Sequence, residues 1–297
     1  MDGLLLVDKP AGPTSHDVVA RLRRTSGERS IGHTGTLDPR ATGLLPLVFG
    51  RATRLASLIG GTEKTYEATV RLGVATDTDD ADGRPLGEPS RDLPGAADVV
   101  AALTRFVGTY EQLPPNHSAK KVGGHRAYDL ARQARPVTLT PAEVTVRDLE
   151  MLDAGPDWVR LRVTASSGFY VRALARDLGT ALGCGGHLEA LRRVRSGGFD
   201  VADAIGLDEA ERLGRDLESR LVAPAAALPD LPAVQVTEQG LKRVLHGNPV
   251  GPEQVEGRFL PTAGTTRGPV RVLAADGRLV ALAHSRGGAL HPVVVLG

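Results

Sequence analysis

The sequence predicts a mixed α+β protein, in which a mainly antiparallel sheet flanked by helices is followed by a small β-rich domain. Apolar and polar residues alternate over 64–72 and again over 158–165, as in strands with one buried face. Two short β-like runs, 270–274 and 279–283, flank Asp276-Gly277, a pair typical of hairpin turns. Strands do not alternate strictly with helices, which disfavours a doubly wound parallel sheet.

The amino-terminal part predicts a strand, a helix and a glycine-rich loop, in that order. The apolar run 3–7 is typical of a strand and precedes a turn rich in proline and glycine. Ser15 is placed to N-cap a helix, because the apolar residues within 18–22 follow it at helical spacing. A glycine-rich loop follows over 32–39, and the apolar spacing within 99–106 predicts a further helix.

Two helices are predicted after the second alternating run. The spacing of Leu174 and Leu178 indicates a helix that ends in the glycine-rich segment 183–186. That segment carries no Gly-Lys-Ser/Thr sequence and no dinucleotide fingerprint, so it is interpreted as a helix terminus. A second helix is predicted from His187 to about Val194.

A change of composition predicts where the chain divides. The stretch 223–232 is rich in alanine and proline, which is typical of a domain boundary. We therefore expect one domain over residues 1–225 and a second, smaller one over 230–297.

Composition excludes several classes of protein. The chain has 297 residues, of which 41% are hydrophobic, enough to bury a core. Its one cysteine, Cys184, permits no internal disulfide, and without a Cys-x-x-Cys pair the chain is neither a zinc finger nor a zinc deaminase. No apolar run has the length of a membrane span, and the first residues carry no basic region. We expect a cytoplasmic protein with no membrane partner.

Basic residues are concentrated in three places, although the net charge is only +1 from 36 basic and 35 acidic residues. Each cluster is either a solvated face or a site for phosphate groups, and the net charge does not decide between them. The clusters are Arg21, Arg23 and Arg24; Lys120, Lys121 and Arg126; and Arg192, Arg193 and Arg195.

The segment Gly32-His33-Thr34-Gly35-Thr36-Leu37-Asp38-Pro39 is the most informative part of the chain. Its glycines permit backbone geometries that bring the chain close to a ligand. Pro39 biases Asp38 towards an extended conformation and stiffens the exit of the loop. On these residues alone, Asp38 either caps a turn or is displayed in a fixed direction for chemistry.

This segment closely resembles the catalytic motif of the TruB pseudouridine synthases, relatives of dyskerin, and further blocks follow in the order of that family. The resemblance implies the pseudouridine synthase fold for residues 1–225, and a PUA-like RNA-binding domain for residues 230–297. The other blocks are Asp8-Lys9-Pro10-x-Gly12 with Ser15; Lys64-Thr65-Tyr66; Gly73 with residues 76–83; Pro114-Pro115 with Ser118 to Lys121, Gly124 and Tyr128; Gly168 to Arg172 with Asp177-Leu178-Gly179; and Leu191-Arg192-Arg193.

The resemblance also implies which residues are catalytic: Asp38, Tyr66 and Arg172. Conversion of uridine to pseudouridine breaks the glycosidic bond, turns the base and rejoins it through carbon, and we expect no metal and no cofactor. An ionised Asp38 screened from water is costly unless a cation pairs with it, and Arg172 is predicted to hold both its oxygens. Tyr66 is expected to stack on the uracil and to assist proton movement. Tyr170 lines the same pocket if its segment is extended.

Five residues are predicted to bind the substrate. The target base must leave its helical stack, and His33 either fills the vacated space or is hydrogen-bonded within the glycine loop. Lys9 is either an RNA contact or part of a structural ion pair. Lys64 and Leu191 lie in the matching blocks and complete the predicted contacts together with Tyr170.

The expected reaction is the isomerisation of the T-loop uridine at position 55 of tRNA. The expected partner is the T-arm of tRNA, recognised mostly by its shape and phosphates. The chain lacks the long lysine-rich extension of dyskerin, which favours a monomer that acts without a guide RNA. Whether Asp38 attacks the base or the sugar is left open.

Three other interpretations fit less well. A calcium loop over 77–83 would place Pro89 at the twelfth position, where a carboxylate is required. A glycosidase needs a second acidic residue across the bond, and no motif supplies one. An RNA-folding chaperone without catalysis would not need Asp38, Tyr66 and Arg172 together.

Overall fold

The computed structural model describes residues 1–115, 139–257 and 268–297, and the backbone of 121–122 and 125–126. The predicted block around Ser118, Gly124 and Tyr128 lies outside the described residues. The side chains of the basic cluster at Lys120, Lys121 and Arg126 lie outside them as well.

A mixed, mainly antiparallel sheet forms the body of the protein, as predicted. Among the described residues it has ten strands, with the order β12-β1-β3-β10-β4-β9-β8-β5 and with β2 and β11 paired to β3 and β10. Only the pairs β1–β12 and β3–β10 are parallel. The strands of this sheet are β1 (Gly3–Lys9), β2 (Ile31–His33), β3 (Thr42–Phe49), β4 (Lys64–Leu72), β5 (Gly108–Gln112), β8 (Ala142–Ala154), β9 (Trp158–Ala165), β10 (Gly186–Ser196), β11 (Phe199–Asp200) and β12 (Ile205–Gly206); β6 (Lys121–Val122) and β7 (His125–Arg126) pair with each other.

Helices cover this sheet and divide its apolar interior into two cores. The helices on this sheet are α1 (Ser15–Ser26), α2 (Ala56–Gly60), α3 (Ala96–Leu103), α4 (Val171–Ala181) and α5 (Leu207–Leu213). A further helix, α6 (Glu238–Leu245), packs on the second sheet, which is described below. One core joins α3 and α4 to β4, β8 and β9, and the other joins α1 and α5 to β1 and β3. Tyr66 and Leu191 pack against both cores, so they mark the seam between them.

A second, five-stranded sheet follows and packs on the other face of β1 and β3. Its order is β14-β13-β15-β16-β17, and β15 and β16 form the predicted antiparallel hairpin with Gly277 at φ +80° in the turn. Leu279, Leu282 and Leu296 of this part share an apolar cluster with Leu6 and Leu44 of the main sheet. The strands are β13 (Ala233–Val236), β14 (Val255–Glu256), β15 (Val270–Leu273), β16 (Leu279–Arg286) and β17 (Ala289–Val295).

The alanine- and proline-rich stretch between the two sheets is anchored on both sides. Val222 exchanges two backbone hydrogen bonds with Leu4, at 2.9 and 2.8 Å. The guanidinium of Arg271 donates to the carbonyl oxygens of Ala225 at 2.7 Å and Pro229 at 3.3 Å. The connection therefore holds the second sheet against the first.

Helix α1 begins differently from the prediction. Thr14, not Ser15, is the N-cap: its hydroxyl accepts from the N–H of Asp17, whose carboxylate accepts from the N–H of Thr14. The hydroxyl of Ser15 is buried and instead holds the peptide of Leu37, donating to its carbonyl at 3.0 Å and accepting from its N–H at 2.9 Å. The predicted cap is wrong by one residue because Ser15 serves a tertiary contact.

The helix predicted from His187 to Val194 is wrong, because these residues belong to strand β10. The strand lies between β3 and β4, so its backbone groups are paired on both sides. Such pairing across the sheet overrides the helical preference of a segment rich in leucine, alanine and arginine. The preceding helix is confirmed as α4, and the glycine-rich segment ends it: Cys184 and Gly185 donate backbone hydrogen bonds to the carbonyl oxygen of Gly179.

No helix in the described part of the chain is long and apolar enough to cross a membrane.

Candidate active site

Asp38 lies at the tip of the loop between β2 and β3, and contacts on each side fix its backbone. Before it, the Leu37 peptide is held by Ser15, as described above, and its side chain is buried. After it, the ammonium of Lys9 donates to the carbonyl of Pro39 at 3.1 Å. The N–H of Ala41 closes a turn on the carbonyl of Asp38 at 3.1 Å. The carboxylate is thereby displayed in a defined direction, with its side chain 47% exposed.

Arg172 approaches Asp38 from the first turn of α4. The start of this helix is fixed by Gln112, whose side chain accepts from the N–H of Tyr170 at 2.8 Å and donates to its carbonyl at 3.1 Å. Nε of Arg172 lies 3.1 Å from Oδ2 of Asp38, and the arginine side chain is only 9% exposed. The pairing predicted between these two residues is therefore present in the structure.

The same guanidinium has a second carboxylate partner. Its Nη1 lies 3.4 Å from Oδ2 of Asp80 and donates to the carbonyl of Thr78 at 3.3 Å. Arg172 is thus shared between Asp38 and Asp80, whereas the sequence predicts a grip on both oxygens of Asp38. Nothing in the acidic run 77–83 singles out Asp80, because several carboxylates there have the same local surroundings in sequence.

Asp79, which precedes Asp80, has a left-handed backbone conformation. Asp79 has φ +62°, which is uncommon for a residue with a side chain. Its carboxylate accepts from Nη1 of Arg176 at 2.9 Å, one helical turn after Arg172. Burial raises the pKa of Asp79, opposed by Arg176. Two arginines one helical turn apart, Arg172 and Arg176, therefore hold the acidic loop 77–83 against α4.

The Asp38–Arg172 pair separates two cavities, each of about 280 Å³. Both cavities are bordered by Leu191 as well as by the pair itself. The first is lined further by Gly35, Lys64, Tyr66, Phe169, Tyr170 and Arg193, and so combines aromatic rings with cations. The second is lined further by Arg40, Asp80, Asp82, Leu188 and Glu189, so its charged side chains include more carboxylates than cations.

The first cavity brings together five predicted site residues around Asp38. Tyr66 comes from β4, Tyr170 precedes α4, and Leu191 comes from β10. Tyr170 and Arg172 line the same cavity, as expected, but for a different reason. Only Tyr170, the N-cap residue of α4, has an extended backbone, and Arg172 already lies within the helix.

Lys64 contributes mainly the stem of its side chain to this cavity. Its ammonium is buried and donates to the carbonyls of Gly60 and Thr62, both at 2.6 Å. Burial, together with the positive charge of Arg193, lowers the pKa of Lys64 to about 8.

Lys9 makes its contacts within the protein, which favours a structural interpretation of this residue over a contact with RNA. Its side chain is fully buried, and Nζ donates to the carbonyls of Pro10 at 2.9 Å, Pro13 at 2.8 Å and Pro39 at 3.1 Å. Burial lowers the pKa of Lys9 to about 8, opposed by the negative charge of Asp38. An ammonium with three carbonyl partners and no exposed surface would reach RNA only if the loop opened, so the RNA contact stays a prediction.

His33 stands apart from both cavities. It ends β2 and contacts the ring of His16 edge-on, with 5.2 Å between ring centroids. It lines neither cavity beside Asp38. Its predicted role in base flipping stays a prediction, because the residue that fills the vacated space in the RNA need not line the cavity beside Asp38.

This arrangement places a half-exposed carboxylate beside a buried guanidinium, at the border of a cavity that aromatic side chains line in part. The described residues contain no cluster of histidine, cysteine or acidic side chains that could hold a metal ion. The one free cysteine among them, Cys184, is buried at the end of α4, away from Asp38.

Comparison with known proteins gives matches over almost the whole chain. Residues 23–171 match the N-terminal domain of TruB family pseudouridylate synthases. Residues 172–224 match the tRNA pseudouridylate synthase B C-terminal domain, and residues 231–297 match the C-terminal domain of tRNA pseudouridine synthase II.

Relatives and a solved structure agree with these matches. The chain is 45% identical to tRNA pseudouridine synthase B of Thermobifida fusca (strain YX), over 99% of this chain and 98% of the relative. It is 49% identical to the enzyme of that name from Symbiobacterium thermophilum, over 83% and 82% of the two chains. A protein in the structure of an H/ACA RNP bound to a substrate RNA containing 2'-deoxyuridine shares the fold, with a TM-score of 0.75 at 24% identity, over 99% of this chain and 85% of that one. The chain therefore belongs to the TruB family of pseudouridylate synthases.

Proposed function

We propose that this chain converts uridine to pseudouridine at position 55 in the T-loop of tRNA, with Asp38 as the catalytic carboxylate. The observation that carries the proposal is the Asp38–Arg172 pair, 3.1 Å apart at the border of a cavity lined by Tyr66 and Tyr170. The relatives described above are named for action on tRNA. Their identity to this chain supports the same substrate class.

Each residue of the pair has a distinct part in this reaction. Asp38, in its ionised form, acts as the nucleophile at the base or the sugar. Arg172 stays protonated and stabilises that charge once the substrate has displaced water. The half-exposed carboxylate of the free protein becomes enclosed when a nucleoside fills the cavity. Electrostatic interactions are stronger in such a site because water is excluded from it.

The side chains that line the cavity hold the flipped base. A uridine stacked in the T-loop must be extruded, at a cost of a few kcal/mol. The ring of Tyr66 offsets part of that cost by stacking on the flipped uracil, and its hydroxyl assists proton movement. Tyr170 and Leu191 border the same cavity and contribute further contacts.

The remaining parts of the chain serve RNA binding. Residues 1–225 form the catalytic domain, and residues 230–297 form a PUA-like domain that binds the T-arm. Arg192 and Arg195 of β10, together with the basic face of α1, offer cations to phosphate groups. We propose that the protein acts as a monomer in the cytoplasm, without a guide RNA.

Label release from tRNA tests this function. An unmodified tRNA transcript carrying tritium at C5 of its uridines is incubated with the protein. One equivalent of tritium per tRNA is expected, because carbon–carbon bond formation at C5 expels that hydrogen. A transcript with cytidine at position 55 should release none. Equal release from both transcripts contradicts the assigned position, and no release from either contradicts the proposed activity.

A further inference from the structure

Arg193 is among the most deeply buried side chains of the molecule, with 1% exposure. It lies on β10, with Gly43 of β3 as its register partner on one side and Tyr66 of β4 on the other. Its side chain reaches the first cavity, beside Asp38. The sequence places it in the block Leu191-Arg192-Arg193 and in a basic cluster with Arg192 and Arg195, both of which are more exposed, and assigns it no role of its own.

The guanidinium of Arg193 binds the loop of Asp38 from both sides. Nε donates to the carbonyl of Leu44 at 2.7 Å, after the loop. Nη2 donates to the carbonyl of Gly35 at 3.0 Å, and Nη1 lies 3.5 Å from that of Thr36, both before Asp38. One rigid group thus spans the two ends of the segment that displays the carboxylate.

Gly35 in the motif and Gly43 after it allow close contact with Arg193, Gly35 with the guanidinium and Gly43 with the backbone. Gly43 has φ +98°, and a side chain there would put its Cβ 2.3 Å from the carbonyl oxygen of Arg193. A Cβ on Gly35 would lie 3.3 Å from Nη1 of the same residue. The sequence interpretation has the glycines of the motif bringing the backbone close to a ligand. In the structure Gly35 lies close to the side chain of Arg193.

Burial of this charge is costly for the fold. No carboxylate among the described residues lies within ion-pair distance of the Arg193 guanidinium, so backbone carbonyls alone compensate it. The positive charge of Arg193 also opposes protonation of Lys64. An apolar residue of similar size commonly stabilises such a position at least as well. What an apolar residue does not provide is a planar set of donors that joins separate carbonyls.

We propose that Arg193 is a positioning residue for Asp38: it fixes the loop so that the carboxylate meets the reacting nucleoside in one orientation. The inference rests on the proposed function, since it concerns the same carboxylate. Arg193 acts through the backbone of the loop and does not itself react. Displacement of a reacting group by about 1 Å costs roughly 100-fold in rate, so loss of the clamp should affect turnover more than RNA affinity.

The test compares Arg193→Lys and Arg193→Met with the parental protein and with the control Arg162→Gln. Arg162 lies on β9 of the same sheet and pairs with Glu67 and Glu150 at the surface. Three quantities are measured: the single-turnover rate of tritium release from tRNA, the Kd for tRNA at fixed salt, and the thermal midpoint. Both Arg193 variants should fold and keep their Kd within about twofold, while their rates fall roughly 100-fold. Arg162→Gln should match the parental rate and Kd.

Three results would overturn this inference. The first is a rate close to that of the parental protein in both Arg193 variants. The second is a loss of affinity as large as the loss of rate, which would place Arg193 in RNA binding. The third is failure of both variants to fold, which would assign Arg193 to the stability of the sheet. Inactivity of the parental protein refutes the proposed function instead, so the two failures are distinguishable.

Discussion

The guanidinium of Arg172 and the carboxylate of Asp38 meet at 3.1 Å, yet the two side chains are very unequally exposed, at 9% and 47%. The cation is fixed within the protein, by α4 and by its contact with Asp80, whereas the anion faces an open cavity. Under the proposed function, a nucleoside that enters the cavity screens this carboxylate from water. The costly desolvation of Asp38 is then deferred until the substrate is present.

Asp80 should matter for turnover because it shares Arg172 with Asp38. The substitution Asp80→Asn removes the ion pair between Asp80 and Arg172. A hydrogen bond to a charged group typically contributes about 1.5–3 kcal/mol. If the transition state needs Arg172 in place, tritium release should slow roughly ten- to hundredfold. The matched control is Asp82→Asn, which loses an exposed pair with Arg40 and should cost less than about fivefold. Equal losses in the two variants would contradict the shared arrangement.

The ring and the hydroxyl of Tyr66 make separable contributions. Tyr66→Leu removes the face on which uracil is proposed to stack, a loss of about 1–3 kcal/mol. This corresponds to roughly a five- to 150-fold decrease in kcat/KM for tRNA. Tyr66→Phe keeps the ring and should retain tRNA affinity while turnover decreases. A Tyr66→Leu variant with the parental kcat/KM would contradict the proposed stacking of uracil on Tyr66.

Thr14 and Ser15 are neighbours that should behave differently. Thr14→Ala removes the N-cap of α1, at a cost of about 1 kcal/mol in the free energy of unfolding, without changing turnover of the folded protein. Ser15→Ala leaves the N–H and carbonyl of Leu37 without their partner, which costs about 1–3 kcal/mol. Because Leu37 precedes Asp38, this variant should also turn over more slowly. Urea unfolding and single-turnover rates check the pair, and identical rates would contradict the proposed role of Ser15.

Burial of Lys9 and Lys64 should make stability rise in mildly alkaline solution. In the folded protein the pKa of each lysine is lowered to about 8, from 10.5 in the unfolded chain. Between these values the unfolded chain binds more protons, so the free energy of unfolding increases with pH. Below about pH 8 both states are protonated and this contribution is constant. The gain in urea midpoint from pH 8 to pH 10 should be smaller in Lys64→Met than in the parental protein. An equal gain in urea midpoint in the two proteins would contradict the lowered pKa of Lys64 in the folded state.

Local patterns in the sequence were sufficient for much of the fold. The alternation over Lys64–Leu72 and Trp158–Ala165 predicts two strands with their observed bounds, since each has one face on the apolar core. The same reasoning gave a wrong prediction for the segment from His187 to Val194. This segment is a central strand that pairs with β3 on one side and β4 on the other. Its sequence therefore does not show the simple alternation of a strand with one face in solvent.

The features of the site that the sequence did not predict depend on contacts between residues far apart in the chain. Asp38 and Arg172 were predicted through motifs, and the structure brings them together. Asp80 and Arg193 were not singled out, because their importance comes from contacts made across the sheet. Lys9 belongs to a recognisable motif, but its three carbonyl partners are visible only when the loop is folded.

The most direct measurement replaces the proposed catalytic oxygen by nitrogen, in Asp38→Asn. The amide has nearly the same shape but neither the charge nor the nucleophilicity of the carboxylate. With tritium-labelled tRNA we expect no release above background, together with a tRNA Kd within about twofold of the parental value, because the phosphate contacts that dominate affinity are unchanged. Release at the parental rate by Asp38→Asn would contradict the assignment of Asp38 as the catalytic carboxylate.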